Sequence, residues 1–153
     1  MPSDTLDTIS FSRAKSQLST VMDKVVHRGE MKIVDRHHGK EKMALLDVGV
    51  LQALLSSFEF RPVASVSDGE FVLELPELGL IAGADSFDAA VSELVDLTRA
   101  YSAQYLARRA FYAEAGLDRH FPWALKAALT DDATLRTLLV SPPADPAPAL
   151  APA

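Results

Sequence analysis

Four basic residues near the start of the chain, Arg13, Lys15, Arg36 and Lys40, have the types and spacing to hold an anion. Arg13 and Lys15 fall in the first turn of a predicted helix, where the positive end of the macrodipole disfavours cations by roughly a few tenths of a kcal/mol. An arriving anion turns that cost into a gain, because the helix N-terminal amides and both cations then point at it. Arg36 ends the strand entering a predicted hairpin, on the same side, and Lys40 lies in its turn. The same four residues also fit an ordinary solvated face of little energetic weight.

Other chemistries find less support. Of the four histidines, His27, His37, His38 and His120, the adjacent pair has no second ligand pair at useful spacing, so no metal site is expected. No Gly-rich phosphate loop, G-x-S-x-G, H-E-x-x-H or cysteine nucleophile is present, so neither an enzyme nor a cofactor is expected. Asp68, Glu70, Glu74, Glu77, Asp85 and Asp88 are the available acids, but Glu70 and Glu74 alternate with core-type residues and read as a solvated face.

The basic residues must be positioned by residues 8–46, which read as strand, helix, strand, tight turn, strand. Ala14, Leu18, Val21, Met22 and Val25 recur at helical spacing as one apolar stripe, with Ser12 the expected N-cap and Gly29 the left-handed C-cap. Met31–Arg36 and Lys42–Asp47 flank His37-His38-Gly39-Lys40 as a hairpin. The helix is expected to cross a small antiparallel sheet. Val48–Phe58 reads as a very apolar helix capped by Asp47, seeking a partner surface on a dimer mate or on the second half.

A second module begins at Arg61. Asp68-Gly69 between two strands is a strong type I′ turn signal, and Phe71, Leu73 and Leu75 share one face. Pro76-Glu77 ends that strand, and Gly79–Ala84 forms a third. A helix capped by Asp85 or Ser86 is expected to run to Ala115 and end at Gly116. Tyr101, Tyr105, Phe111 and Tyr112 form an aromatic run on it, read as core or oligomer contact ahead of a ligand platform. Trp123, Leu125, Leu129, Leu135, Leu138 and Leu139 belong to one or two short helices that either dock on the long helix or bind a partner. Residues 141–153 are a Pro/Ala tail expected to be disordered.

The 153 residues allow one domain or two small ones. The net charge of −6 argues at first sight against nucleic acid. Residues 1–60, however, hold eight basic and eight acidic residues, so the excess lies in the second half and a local basic patch is permitted. The absence of cysteine, of a signal peptide and of any membrane-length apolar run suits a cytoplasmic protein without a membrane partner.

ISFSRAKSQLSTVMDKV followed by IVDRHHGKEKMALLDV resembles the N-terminal domain of Phd/YefM-type antitoxins over about residues 5–58. The resemblance implies a two-fold dimer that binds operator DNA, with Lys15 as the basic residue of the helix entry, Arg36 as the hairpin arginine, and Arg13 and Lys40 adding charge. Lysine in place of arginine at 15 keeps a phosphate contact but gives up the fork that reads guanine. In residues 61–106, Asp68-Gly69, Leu75-Pro76-Glu77-Leu78 and Gly83-Ala84-Asp85-Ser86-Phe87-Asp88-Ala89-Ala90 are similar to the HicB-type antitoxin fold. The second proline of its corner is missing, and Asp88-Ala89 replaces Glu-Ala.

Together these imply an α+β protein. Its expected parts are a Phd/YefM-like βαββα unit for dimerisation and DNA binding (1–58), a HicB-like βββα module with a long helix and short C-terminal helices facing a toxin (59–140), and the tail (141–153). The expected function is a type II antitoxin that neutralises a cognate protein toxin and represses its own operon as a homodimer or higher even oligomer. Tyr101, Tyr105, Tyr112, Trp123 and Leu125 are the expected partner contacts. The alternatives are a dimeric scaffold protein and a stand-alone transcription regulator without a toxin.

Overall fold

The computed structural model describes residues 6–140 and divides the chain into two compact units, Met1–Leu54 and Leu55–Ala153. The expectation for the tail lies outside the described residues.

The first unit runs β1 (Asp7–Ser10), α1 (Phe11–Ser16), α2 (Leu18–Arg28), β2 (Lys32–Arg36), β3 (Glu41–Leu45) and α3 (Val48–Leu54). Its sheet has the order β1-β2-β3. β2 and β3 are antiparallel, with Arg36 opposite Glu41, but β1 and β2 are parallel, with Ile9 beside Val34. The expected antiparallel sheet is thus mixed, because a strand–helix–strand passage returns the chain in its original direction.

The N-cap is Ser10, whose Oγ accepts from the Arg13 N–H at 3.3 Å, rather than Ser12. The expected single helix breaks at Gln17 (φ −122°, ψ 29°), although Gln17 N–H still donates to Arg13 O at 3.0 Å and Gln17 O accepts from Val21 N–H at 2.9 Å. Gly29 closes α2 at φ 67° as expected.

The apolar stripe splits. Ala14, Val21 and Val25 are buried with Ile9 and Val34, while Leu18 and Met22 are 52% and 55% exposed. Lys32 is buried and charged, pairing with Asp7 and with Glu30 Oε2 (2.7 Å), which ties the start of β1 to the turn before β2.

The second unit opens with an antiparallel meander, β4 (Val63–Ser67), β5 (Glu70–Leu75) and β6 (Leu80–Ala84). Asp68 (φ 52°) and Gly69 (φ 82°) supply the two left-handed residues of its first turn. α4 (Phe87–Ala107) follows, capped by Ser86 Oγ accepting from the Ala89 N–H. Its expected continuation to Ala115 is interrupted at Arg108 (φ −128°, ψ 34°), and α5 (Arg109–Glu114) begins afresh.

α6 (Phe121–Leu129) and α7 (Asp132–Val140) pack on α4, which itself lies on β5 and β6. Leu73, Leu75, Leu94, Leu135 and Leu139 form the centre of the core. The C-terminal helices therefore dock, one of the two outcomes left open by their sequence. Arg99 of α4 clamps them. Its guanidinium donates to the carbonyls of Ala127 and Thr130 at the end of α6 and to Asp132 Oδ1 (2.6 Å) at the start of α7.

The helix expected over Val48–Phe58 ends at Leu54. Residues beyond it join the second unit: Trp123 Nε1 donates to Glu59 O (3.1 Å), Lys126 Nζ donates to Phe58 O (2.8 Å), and Phe60 enters the core.

Candidate DNA-binding and partner-binding surfaces

In the first unit, the entry of α1 and the β2–β3 hairpin border an open groove of about 570 Å³, lined by Ser10, Ser12, Arg36, His37, His38 and Lys40 among others. The hairpin turn is unusual: His37 and His38 are both left-handed (φ 54° and 56°) ahead of Gly39 (φ 80°). A non-glycine residue at positive φ carries a steric cost, and this four-residue turn sets both histidines on the rim of the groove.

Arg36 is oriented from two sides. Its Nε donates to Glu41 Oε2 at 2.6 Å across the strand pair, and its guanidinium lies 5.5 Å from the Phe11 ring centroid. Both partners are exposed, so the pair fixes the arginine without removing it from water. Lys15 and Lys40 form no ion pair among the described residues. Arg13 Nε donates to Gln17 Oε1 at 3.4 Å.

The structure therefore brings Arg36 and Lys40 together in the groove with the helix entry, while Arg13 and Lys15 do not line it. The dipole argument for those two weakens as well, because α1 has only six residues and both also fall in its last turn. Phe11 and the two histidines were not singled out by sequence as groove residues. The consecutive positive φ values that place the histidines carry no signal beyond the glycine that follows them.

A second groove of about 350 Å³ is almost wholly apolar, lined by Leu18, Met22, Val26, Leu46 and Val48 among others. Leu18, Met22 and Val26 repeat every four residues on the outward face of α2, and each is about half exposed. This row leaves more apolar surface in water than a unit of this size usually exposes.

In the second unit, the expected partner residues are largely occupied. Tyr105 is 0% exposed, and its hydroxyl donates to Leu117 O at 2.9 Å. The Tyr101 hydroxyl meets His120 Nδ1 at 2.6 Å, and Tyr112 stacks on Tyr105 at 5.0 Å. Burial pushes the His120 pKa down and those of Tyr101 and Tyr105 up, so a neutral imidazole accepting from the Tyr101 hydroxyl is the consistent assignment. Trp123 packs edge-on against Phe58 at 5.1 Å, and Leu125 is half-buried on α6. The tyrosines tie α4 to α5 and to the turn before α6, Trp123 ties α6 to the segment before β4, and Tyr105 has no surface to offer in this fold.

Among the described residues no group of three metal-ligating side chains is found, and no helix is long and apolar enough to cross a membrane.

The first unit of this α+β chain thus carries a groove with Arg36 and Lys40 beside Asp35 and an exposed apolar row on α2, and the second unit packs a core of its own. A family model described as the Phd-like antitoxin of toxin–antitoxin, RelE/RelB, TA systems matches residues 5–140, and the chain belongs to that family. The crystal structure of an antitoxin part of a proposed toxin–antitoxin system from Syntrophomonas wolfei subsp. wolfei is similar in fold. Its TM-score is 0.75 at 18% identity, covering 87% of this chain and 96% of that one. No curated protein matches. An antitoxin implies a cognate toxin as its partner.

Proposed function

We propose that this antitoxin binds operator DNA as a symmetric dimer through its first unit and neutralises a protein toxin through its second. The first unit is read as Phd/YefM-type and the second as HicB-like, on the strength of the motifs quoted above and of the βββα order in residues 63–107.

The observation that carries the DNA reading is the groove where Arg36, Lys40 and the α1 entry converge, next to the two histidines of the hairpin turn. Arg36 and Lys40 meet phosphates, with Lys15 and Arg13 extending the positive field along the duplex. The half-exposed α2 row supplies the two-fold contact, and a two-fold dimer asks for a palindromic operator.

Anisotropy titration with the DNA immediately upstream of the gene, at two salt concentrations, tests this. Tight binding that survives competitor DNA and falls steeply with salt is expected. Lys15→Ala combined with Arg36→Ala is expected to abolish it while leaving the melting curve intact. Wild-type affinity in that double variant refutes the assignment. Glu41→Gln should strengthen binding a few-fold, since it frees Arg36 from its carboxylate.

A dimeric scaffold without a toxin is the second reading. It draws on the complete core of the second unit, whose C-terminal helices are docked instead of waiting for a partner. Failure of the neighbouring gene product to bind would favour it.

A further inference from the structure

We propose that the toxin is held at the open edge of β4, by addition of a basic extended segment of the toxin to the β4-β5-β6 sheet. The inference deepens the antitoxin reading and rests on it.

All five residues of β4 are exposed. It is an end strand of its sheet, and α4 packs on β5 and β6. Folded proteins usually protect such an edge with a charge, a proline or a bulge; Arg61 and Pro62 stand just before the strand, and Val63-Ala64-Ser65-Val66-Ser67 itself contains none of these. The register fixes which backbone groups are free. Ser67 and Glu70 close the two-residue turn, so they exchange both hydrogen bonds, as do Ser65 with Val72 and Val63 with Glu74 in alternation. The N–H and C=O of Ala64 and Val66 therefore point outward, available to another strand.

The side chains suit an occupant of alternating character. Val66 lies on the α4 side of the sheet, in register with Phe71, and is 65% exposed. On the opposite face Val63 and Ile81 flank Glu74 in one row. The only charged residues on the three strands are Glu70 and Glu74, and both fall on that outer face. A Cβ at Gly83 would meet Glu70 Oε1 at 2.7 Å, so the absent side chain at 83 gives this carboxylate room to lie over β6. Arg61, just before β4, faces Glu59 at 3.9 Å. Beyond position 60 the chain carries thirteen acidic and seven basic residues. The complement of this edge is a strand with apolar residues on one side and Lys or Arg on the other.

The test uses the full-length protein and the purified toxin encoded beside its gene. Val66→Pro and Ala64→Pro block the edge without removing a bond to β5, because those N–H groups face outward. Glu70→Lys with Glu74→Lys reverses the charge and leaves the backbone unchanged. Each proline variant is expected to weaken toxin binding about tenfold or more, and so is the charge reversal, with a shallower salt dependence. In hydrogen exchange, toxin should protect the amides of Ala64 and Val66 specifically.

Wild-type protein that does not bind the toxin removes the antitoxin reading, and the proposal with it. Wild-type protein that binds while proline and charge variants bind equally well overturns the edge alone. Proline variants that lose self-association at unchanged toxin affinity assign the edge to a second copy of this chain, which also overturns the proposal.

Discussion

Replacing Arg99 by methionine should loosen the two C-terminal helices while leaving the sheet and α4 in place. The aliphatic stem is kept and the guanidinium removed, which orphans the carbonyls of Ala127 and Thr130 at the end of α6 and releases Asp132 at the start of α7. A hydrogen bond from a charged donor contributes about 1.5–3 kcal/mol. The Arg99 side chain keeps 28% exposure, so water replaces part of the loss, and the two carbonyl bonds together are worth about 2–4 kcal/mol. The Asp132 ion pair adds less than about 1 kcal/mol, because that carboxylate is exposed. For a domain of this size each kcal/mol moves the midpoint by about 4–8 °C, so Arg99→Met should lower Tm by roughly 10–30 °C. Trp123, the only tryptophan, sits on α6 against Phe58, and its fluorescence reports undocking directly. Asp132→Ala is the control and should shift Tm by only a few degrees. An Arg99→Met melt within about 0.5 kcal/mol of wild type would refute the clamp.

Met22→Glu, which places a charge in the apolar row of α2, should raise the dimer dissociation constant at least about tenfold, read by sedimentation equilibrium; an unchanged association state would move the dimer contact elsewhere. Acid should act on the two units at different pH. Hydrogen bonding to Lys32 holds the Asp7 and Glu30 carboxyls below their ordinary range, so their contribution is complete above about pH 5 and is lost as pH falls through the lowered values. Lys32 is raised, mainly by its bond to Asp7, and its share is lost only as pH climbs past about 10.5. Burial depresses His120, so below about pH 6.5 the unfolded chain takes up a proton that the folded one resists, and the second unit weakens first. Melts of the wild type, Lys32→Met and His120→Gln between pH 3 and 8 separate these limbs; a His120→Gln variant with the same slope from pH 7 to 5 would remove the histidine from the account.

Local chemistry made several elements legible in sequence. Asp68-Gly69 could only be a turn, Ser86 stood where a cap was needed, and Gly29 ended the helix it appeared to end. These are decided within four residues of themselves. The breaks at Gln17 and Arg108 are not, since neither position has a glycine or proline nearby; both keep a hydrogen bond to the preceding turn and bend through φ near −125°. The parallel pairing of β1 with β2 was recoverable, because a strand, a helix and a strand in succession already imply it. For the candidate DNA site the sequence singled out Arg36 and Lys40 as basic residues, but not the Phe11 ring beneath Arg36 or the strained histidine turn. For the second unit the aromatic run at helical spacing signalled core ahead of a ligand platform, and Tyr105 is buried; naming Tyr105 as a partner contact as well does not fit that burial.

The difference between the two units bears on how they would work together. Among the described residues, the buried core of the first consists of Ile9, Ala14, Val21, Val25 and Val34. Five buried side chains are few for a unit of this size, so a further apolar surface is called for. Leu18, Met22, Val26 and Val48 are the apolar groups left to provide it. If they close a dimer, folding of the first unit and its association become one equilibrium, and its stability rises with protomer concentration. The second unit, with fourteen buried core residues of its own, has no such dependence. Dilution should therefore melt the first unit ahead of the second, and any ligand that binds two first units at once, as a palindromic duplex would, should bring the two transitions back together.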